Sequence, residues 1–167
     1  MVPPDYNLLV LENQISEEVQ MYPFFLAVHN ILRWIAVILA IVTLIRSYWG
    51  WFGKRDWTPT DRRVGSYYSI ALDIQILLGI ILLFVITSGS VQSFGAVFAN
   101  AGSQFFAYEH IFWMILAVIL AHVGVITARR AEEDAAKHRR VAIWISLSLI
   151  ALLLGMPWFR PLLPGLG

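Results

Sequence analysis

The chain has no cysteine. That excludes disulfides, thiolate zinc sites, cysteine-ligated iron–sulfur clusters and covalently attached c-type haem among its own residues. It is also poor in charge: Asp, Glu, Lys and Arg make up 14% of 167 residues, against 59% hydrophobic residues. Little is left for a soluble domain. No nucleophile–base pair, phosphate-binding glycine loop or carboxylate-rich metal site can be picked out, which disfavours an enzyme acting alone. No internal repeat and no apolar segment interrupted by paired Gly and Pro marks a transporter's central site. The start, Met1-Val-Pro-Pro-Asp5, lacks a basic stretch leading into a short apolar run. The expectation is no secretory signal peptide, with the first spanning helix directing insertion.

What is present is apolar sequence in long runs. Four segments, 23–46, 67–88, 104–127 and 140–159, each approach or exceed the roughly 20 residues that a membrane helix requires. Short connections between them predict an all-α integral membrane protein, a four-helix up-down bundle over 23–160. Residues 1–22 read as an outward-facing N-terminal segment. Within it, Leu8, Leu11, Ile15 and Val19 recur at helical spacing, which predicts a short amphipathic helix on the surface or against a partner. Pro23 suits the first turn of helix 1. Residues 56–61 read as a turn with a capping residue. The uncharged, Gly-, Ser- and Ala-rich stretch 89–103 suits a connection that dips into the interface or packs under a neighbour. Pro157, Pro161 and Pro164 end helix 4, leaving 161–167 as a tail.

Orientation follows from charge. Of the 12 Lys and Arg residues, five (Arg46, Lys54, Arg55, Arg62, Arg63) lie in the first connection and five (Arg129, Arg130, Lys137, Arg139, Arg140) in the third. In a four-span chain those connections share one side, and the positive-inside rule makes it cytoplasmic. Both termini then face outward, in keeping with acidic Asp5, Glu12, Glu17 and Glu18 before the first basic residue, Arg33. Aromatic residues flank both ends of the spans, as interfacial anchors do. Tyr67 and Tyr68 are expected among them.

Ionisable residues inside spans are costly and are functional candidates by default. Here they fall in two layers. His29 and His110 each stand about six residues into an inward-running helix, roughly 9 Å from its start at 1.5 Å per residue. Arg33 follows His29 by one turn, and Glu109 precedes His110. Two histidines at equal depth on different helices are what axial ligation of a b-type haem requires, with Arg33 available to a propionate. The alternative is a polar cluster in which Glu109 pairs with Arg33. The inner layer holds Asp73 on helix 2 and His122 on helix 3. These read either as a structural carboxylate–imidazole pair or as a proton- or quinone-associated site. His110 and His122 are 12 residues apart, so they point about 120° away from each other around one helix, which disfavours a second haem. Ala117, Ala121 and Gly124 leave a strip of helix 3 where another helix or a flat cofactor could approach.

Several strings resemble a family of small four-helix bacterial membrane proteins labelled cytochrome b or b561-like. They are His29-Asn-Ile-Leu-Arg33-Trp34, Arg46-Ser-Tyr-Trp-Gly-Trp, Asp61-Arg-Arg, Asp73-Ile-Gln75-Ile-Leu-Leu-Gly79, Glu109-His110 with Met114 and Ala117, Lys137-His-Arg, and Met156-Pro157-Trp158. The resemblance covers about residues 24–159, and its more specific elements are His-x-x-x-Arg-Trp and Glu-His. It implies a membrane histidine site for haem. The family pattern has histidine where this chain has Asp73, so no haem ligand is implied there.

The sequence therefore predicts a subunit of a bacterial respiratory or photosynthetic electron-transport complex in the cytoplasmic membrane. One b-type haem would be held by His29 and His110 with Arg33 beside it. Partners would be the bilayer, other membrane subunits and a quinone. The alternatives are a cofactor-free accessory subunit, or a quinone- or chlorophyll-binding subunit using the same histidines.

Overall fold

The computed structural model describes residues 6–88 and 104–159. Those residues are helical, with no strand among them: α1 (Tyr6–Phe52), α2 (Pro59–Ser88), a π-helical turn (Phe105–His110), α3 (Ile111–Arg129) and α4 (Asp134–Leu154). Three helical stretches, Met21–Phe52, Pro59–Val85 and Phe105–Arg129, are long and apolar enough to cross a membrane, and the chain is a membrane protein on that basis. Residues 1–5 of the N-terminal segment, the 89–103 connection, residue 160 and the expected 161–167 tail lie outside the described residues.

The first difference from expectation is at the N-terminus. The amphipathic segment is not a separate helix; it continues into the first span as one helix of 47 residues with Pro23 inside it. Proline removes one backbone hydrogen bond and crowds the preceding turn, but membrane helices tolerate such breaks in the ladder. The second difference is in the third connection. The charged stretch expected to link helices 3 and 4 is itself helical from Asp134. Asp134, Ala135, Ala136 and Lys137 suit a helix start, with an acid at the positive end of the dipole and an Asp134–Lys137 ion pair of 2.7 Å. Those bonds also hold the Asp134 carboxyl below its ordinary pKa. The Lys137 ammonium lowers it most, followed by the Trp57 N–H, which donates to it at 2.9 Å.

The start of α2 forms as expected. Thr58 N–H donates to Asp61 Oδ2 at 2.9 Å, and Asp61 N–H returns to Thr58 Oγ1 at 3.3 Å. This is a reciprocal cap just ahead of and around a proline at the first helical position. Arg46 near the end of α1 donates to the same carboxylate at 2.8 Å, which fixes the α1–α2 corner.

Helix α1 packs on α2 and α4, and α3 packs on α4 and α2. The interior is built from small residues: Ala36, Ala40, Ala117, Ala121 and Ala142 are fully buried, while Ile31, Ile35, Ile38, Ile45, Ile80 and Phe84 are exposed. Small inside and large outside is the pattern of helices that approach closely within lipid. The Ala117–Gly124 strip is filled by α4. A Cβ on Gly124 would lie 2.8 Å from Trp144 Cβ, and Ser148 Oγ donates to the Ala117 carbonyl at 2.6 Å. Tyr68 Oη reaches Ser148 Oγ at 2.8 Å and is fully buried. Of the two tyrosines expected as anchors, Tyr67 is exposed and Tyr68 is core.

Candidate functional site

The outer-layer histidines meet. The imidazoles of His29 on α1 and His110 at the end of the π-helical turn have centroids 6.2 Å apart and planes inclined at 65°. A single π-helical turn is uncommon and recurs at functional sites, because it rotates the side chains that follow it. His110 Nδ1 lies 2.7 Å from the Gly155 carbonyl just past α4. A carbonyl only accepts, so Nδ1 carries the proton and donates. The neutral ring then presents its lone pair on Nε2. Fixing one imidazole nitrogen on a backbone carbonyl to free the other is how metal-binding histidines are oriented.

His29 is held differently. Its Nδ1 is buried, with no hydrogen-bond partner among the described residues. Its backbone carbonyl accepts from Gln75 Nε2 of α2 at 2.8 Å. Gly79 faces the ring, since a Cβ there would lie 3.9 Å from His29 Cε1. Arg33 is buried one turn below. Glu109, by contrast, is exposed. Phe105 and Phe106 lie 6.3 and 5.9 Å from the His110 ring, and both contact Phe159, at 5.1 and 6.0 Å between centroids. These rings wall the site as well as flanking the span.

The donor set fits a b-type haem on two counts. One nitrogen, His29 Nδ1, is buried without a bond, and a second ring is oriented by a carbonyl. His29 and His110 would be the residues that hold the group, and their ring centroids lie 6.2 Å apart. Among the described residues there is no group of three or more His, Asp or Glu side chains able to hold a bare metal ion. Two imidazoles would be enough for an iron already held by a porphyrin.

The inner-layer residues also meet. His122 Nε2 lies 2.9 Å from Asp73 Oδ1, but the two side chains are 42% and 48% exposed. The pair lies on the outer face of the α2–α3 seam, among exposed Ile70, Ile74, Leu77, Ile115 and Ile119. It is joined as expected and faces outward rather than into the core. Gln75, two residues on, points inward to α1.

One histidine carries no role in the sequence reading beyond the resemblance. His138 on α4 is 1% exposed, lies edge-on to Trp57 at 4.8 Å, and its Nε2 approaches the Asp56 carbonyl at 3.4 Å. Gly50 lies flush against this ring: any Cβ there would fall inside contact distance of the imidazole. The sequence signal was a glycine between Trp49 and Trp51 near the end of α1. Comparison with protein-family models, with curated proteins and with solved structures finds no match to this chain.

Proposed function

We propose that this chain is an integral membrane subunit of an electron-transport complex, carrying one b-type haem between His29 and His110. The reading includes four spans in an up-down-up-down bundle, with α4 as the fourth and both termini outside. The placement is the bacterial cytoplasmic membrane, with Arg46, Arg62, Arg129 and Arg140 at the inner face. The observation that carries the reading is the pair of neighbouring imidazoles, one oriented by Gly155 and one with a buried nitrogen that has no bond among the described residues. Haem, when bound, supplies one-electron chemistry. The chain's part is to offer two imidazoles, to hold His110 in one tautomer, to place the Arg33 charge beside the site and to shield it with Phe105, Phe106 and Phe159.

Membership of a larger assembly rests on a separate observation. A carboxylate–imidazole pair nearly half open to acyl chains is costly. A neighbouring subunit offering polar groups to Asp73 and His122 would remove that cost. The same observation favours a second reading, a cofactor-free accessory subunit, which differs in its pigment. The test is the absorbance of His29→Ala and His110→Ala proteins that remain helical by circular dichroism. Loss of the haem bands in both is expected. Retention in both contradicts the ligand assignment, and chlorophyll in the pigment extract would reassign the histidines to magnesium.

A further inference from the structure

A second site lies at the other end of the bundle. A cleft of about 310 Å³ opens between the start of α2, the end of α3 and the first turns of α4. Its floor is apolar and small, formed by Gly65, Val125, Ala128 and Val141. Its rim carries three cations, Arg62, Arg129 and Lys137, with the Trp57 indole beside them. Asp61 also lines the cleft, but its carboxylate is committed to Arg46 and to Thr58. Lys137 is paired with Asp134. Among the described residues Arg129 donates to the neutral Ser66 hydroxyl, at 3.3 Å, and has no ion pair, and Arg62 is exposed with no ion pair. Two guanidiniums therefore bring uncompensated charge to the mouth of an apolar pocket.

We propose that this cleft binds the phosphate of an anionic phospholipid, with the glycerol and first acyl carbons on the Gly65–Val125–Ala128–Val141 floor. The shared chemistry is a phosphate oxyanion, which a planar guanidinium recognises in bidentate fashion. A free phosphate would use the rim alone, whereas a lipid uses rim and floor together. The location favours the lipid. All three cations stand at ends of membrane helices, where basic pockets between spans meet anionic headgroups, and a tryptophan at the rim suits the same depth. A Cβ on Gly65 would stand at ordinary contact distance from Val125 Cγ2, 3.7 Å, and Thr43 Cγ2, 3.9 Å. A larger side chain there would press on Val125 and reshape the floor.

The test uses the full chain in detergent, with native mass spectrometry to count bound phosphatidylglycerol against phosphatidylcholine. Phosphatidylglycerol should be retained preferentially. Arg62→Gln and Arg129→Gln should each weaken it roughly fivefold, the value of one cation near an anionic surface, whereas Arg139→Gln, exposed and away from the cleft, should leave it unchanged. Gly65→Leu should weaken lipid retention with no change of charge. Equal retention of the two lipids, or no effect of either cleft arginine, overturns the proposal. If inorganic phosphate displaces the lipid at equal concentration and Gly65→Leu has no effect, the site takes a free phosphate and the lipid assignment fails.

Discussion

His110 and His122 belong to one continuous helical run and lie 12 residues apart, yet their surroundings differ in kind. His110 faces a second imidazole, is oriented by a backbone carbonyl at 2.7 Å and is walled by aromatic rings. His122 reaches across a helix seam to Asp73 at 2.9 Å, and both partners stay nearly half exposed among isoleucines. The backbone turn between the two positions explains the contrast. An advance of 12 residues rotates a side chain by about a third of a turn, so one histidine enters the bundle and the other leaves it. Inside the bundle His110 is satisfied by a backbone carbonyl, while His29 Nδ1 is buried without a partner among the described residues. On the outer face it depends on a partner of its own and on whatever covers the pair.

The sharpest way to break this comparison is to remove each histidine in turn. His110→Ala should abolish haem absorbance, and His122→Ala should leave it intact. Equal loss in the two would erase the distinction between the layers. A smaller effect concerns stability of the outward pair. Asp73→Leu should cost about 1–3 kcal/mol in the folded protein, because it strands an imidazole without its acceptor. The double change Asp73→Leu with His122→Leu should recover most of that, as replacing both members of a desolvated pair often does. Thermal melts of the two variants in one detergent decide the matter, and a double variant as weak as the single one would mean that the pair is worth more than its desolvation.

Glycine contacts sharpen the inner half of the contrast. A Cβ at Gly155 would stand 2.5 Å from Met114 Cε and 2.7 Å from Trp113 Cβ. Gly155→Ala should therefore cost about 1–3 kcal/mol by overpacking, and by displacing the carbonyl that holds His110 it should also shift the haem spectrum. A destabilised variant with an unchanged spectrum would show that the carbonyl does not tune the site. The smallest effect lies far from both pairs. The Asp134 carboxyl sits below its ordinary pKa, so its bonds to Lys137 and Trp57 stabilise the fold above the carboxylate range and are lost as pH falls through the lowered value. Asp134→Asn should make the acid limb of the stability profile slightly shallower, measured as melting temperature against pH.

The two polar layers could be read before any coordinates because depth in a membrane follows from counting residues along a helix. That count brought His29 to His110 and Asp73 to His122. Counting says less about direction. Whether Asp73 faces the core or the lipid depends on how α2 is rotated against α3, which a count along one helix does not give. For the same reason composition does not separate Tyr68, bonded to Ser148 in the core, from its exposed neighbour Tyr67. Proline and charge misled at two boundaries. Pro23 suits the first turn of helix 1, yet α1 runs through it from Tyr6, and the charged stretch after Glu133 begins α4. His138 stayed hidden because its partner is the absence of a side chain at Gly50.

The most direct test of the central claim is the pyridine haemochrome of the purified chain, taken with its reduced-minus-oxidised spectrum. One b-type haem per polypeptide is the predicted result. A helical, well-folded preparation with no haem would contradict it and leave His29 and His110 as a structural pair.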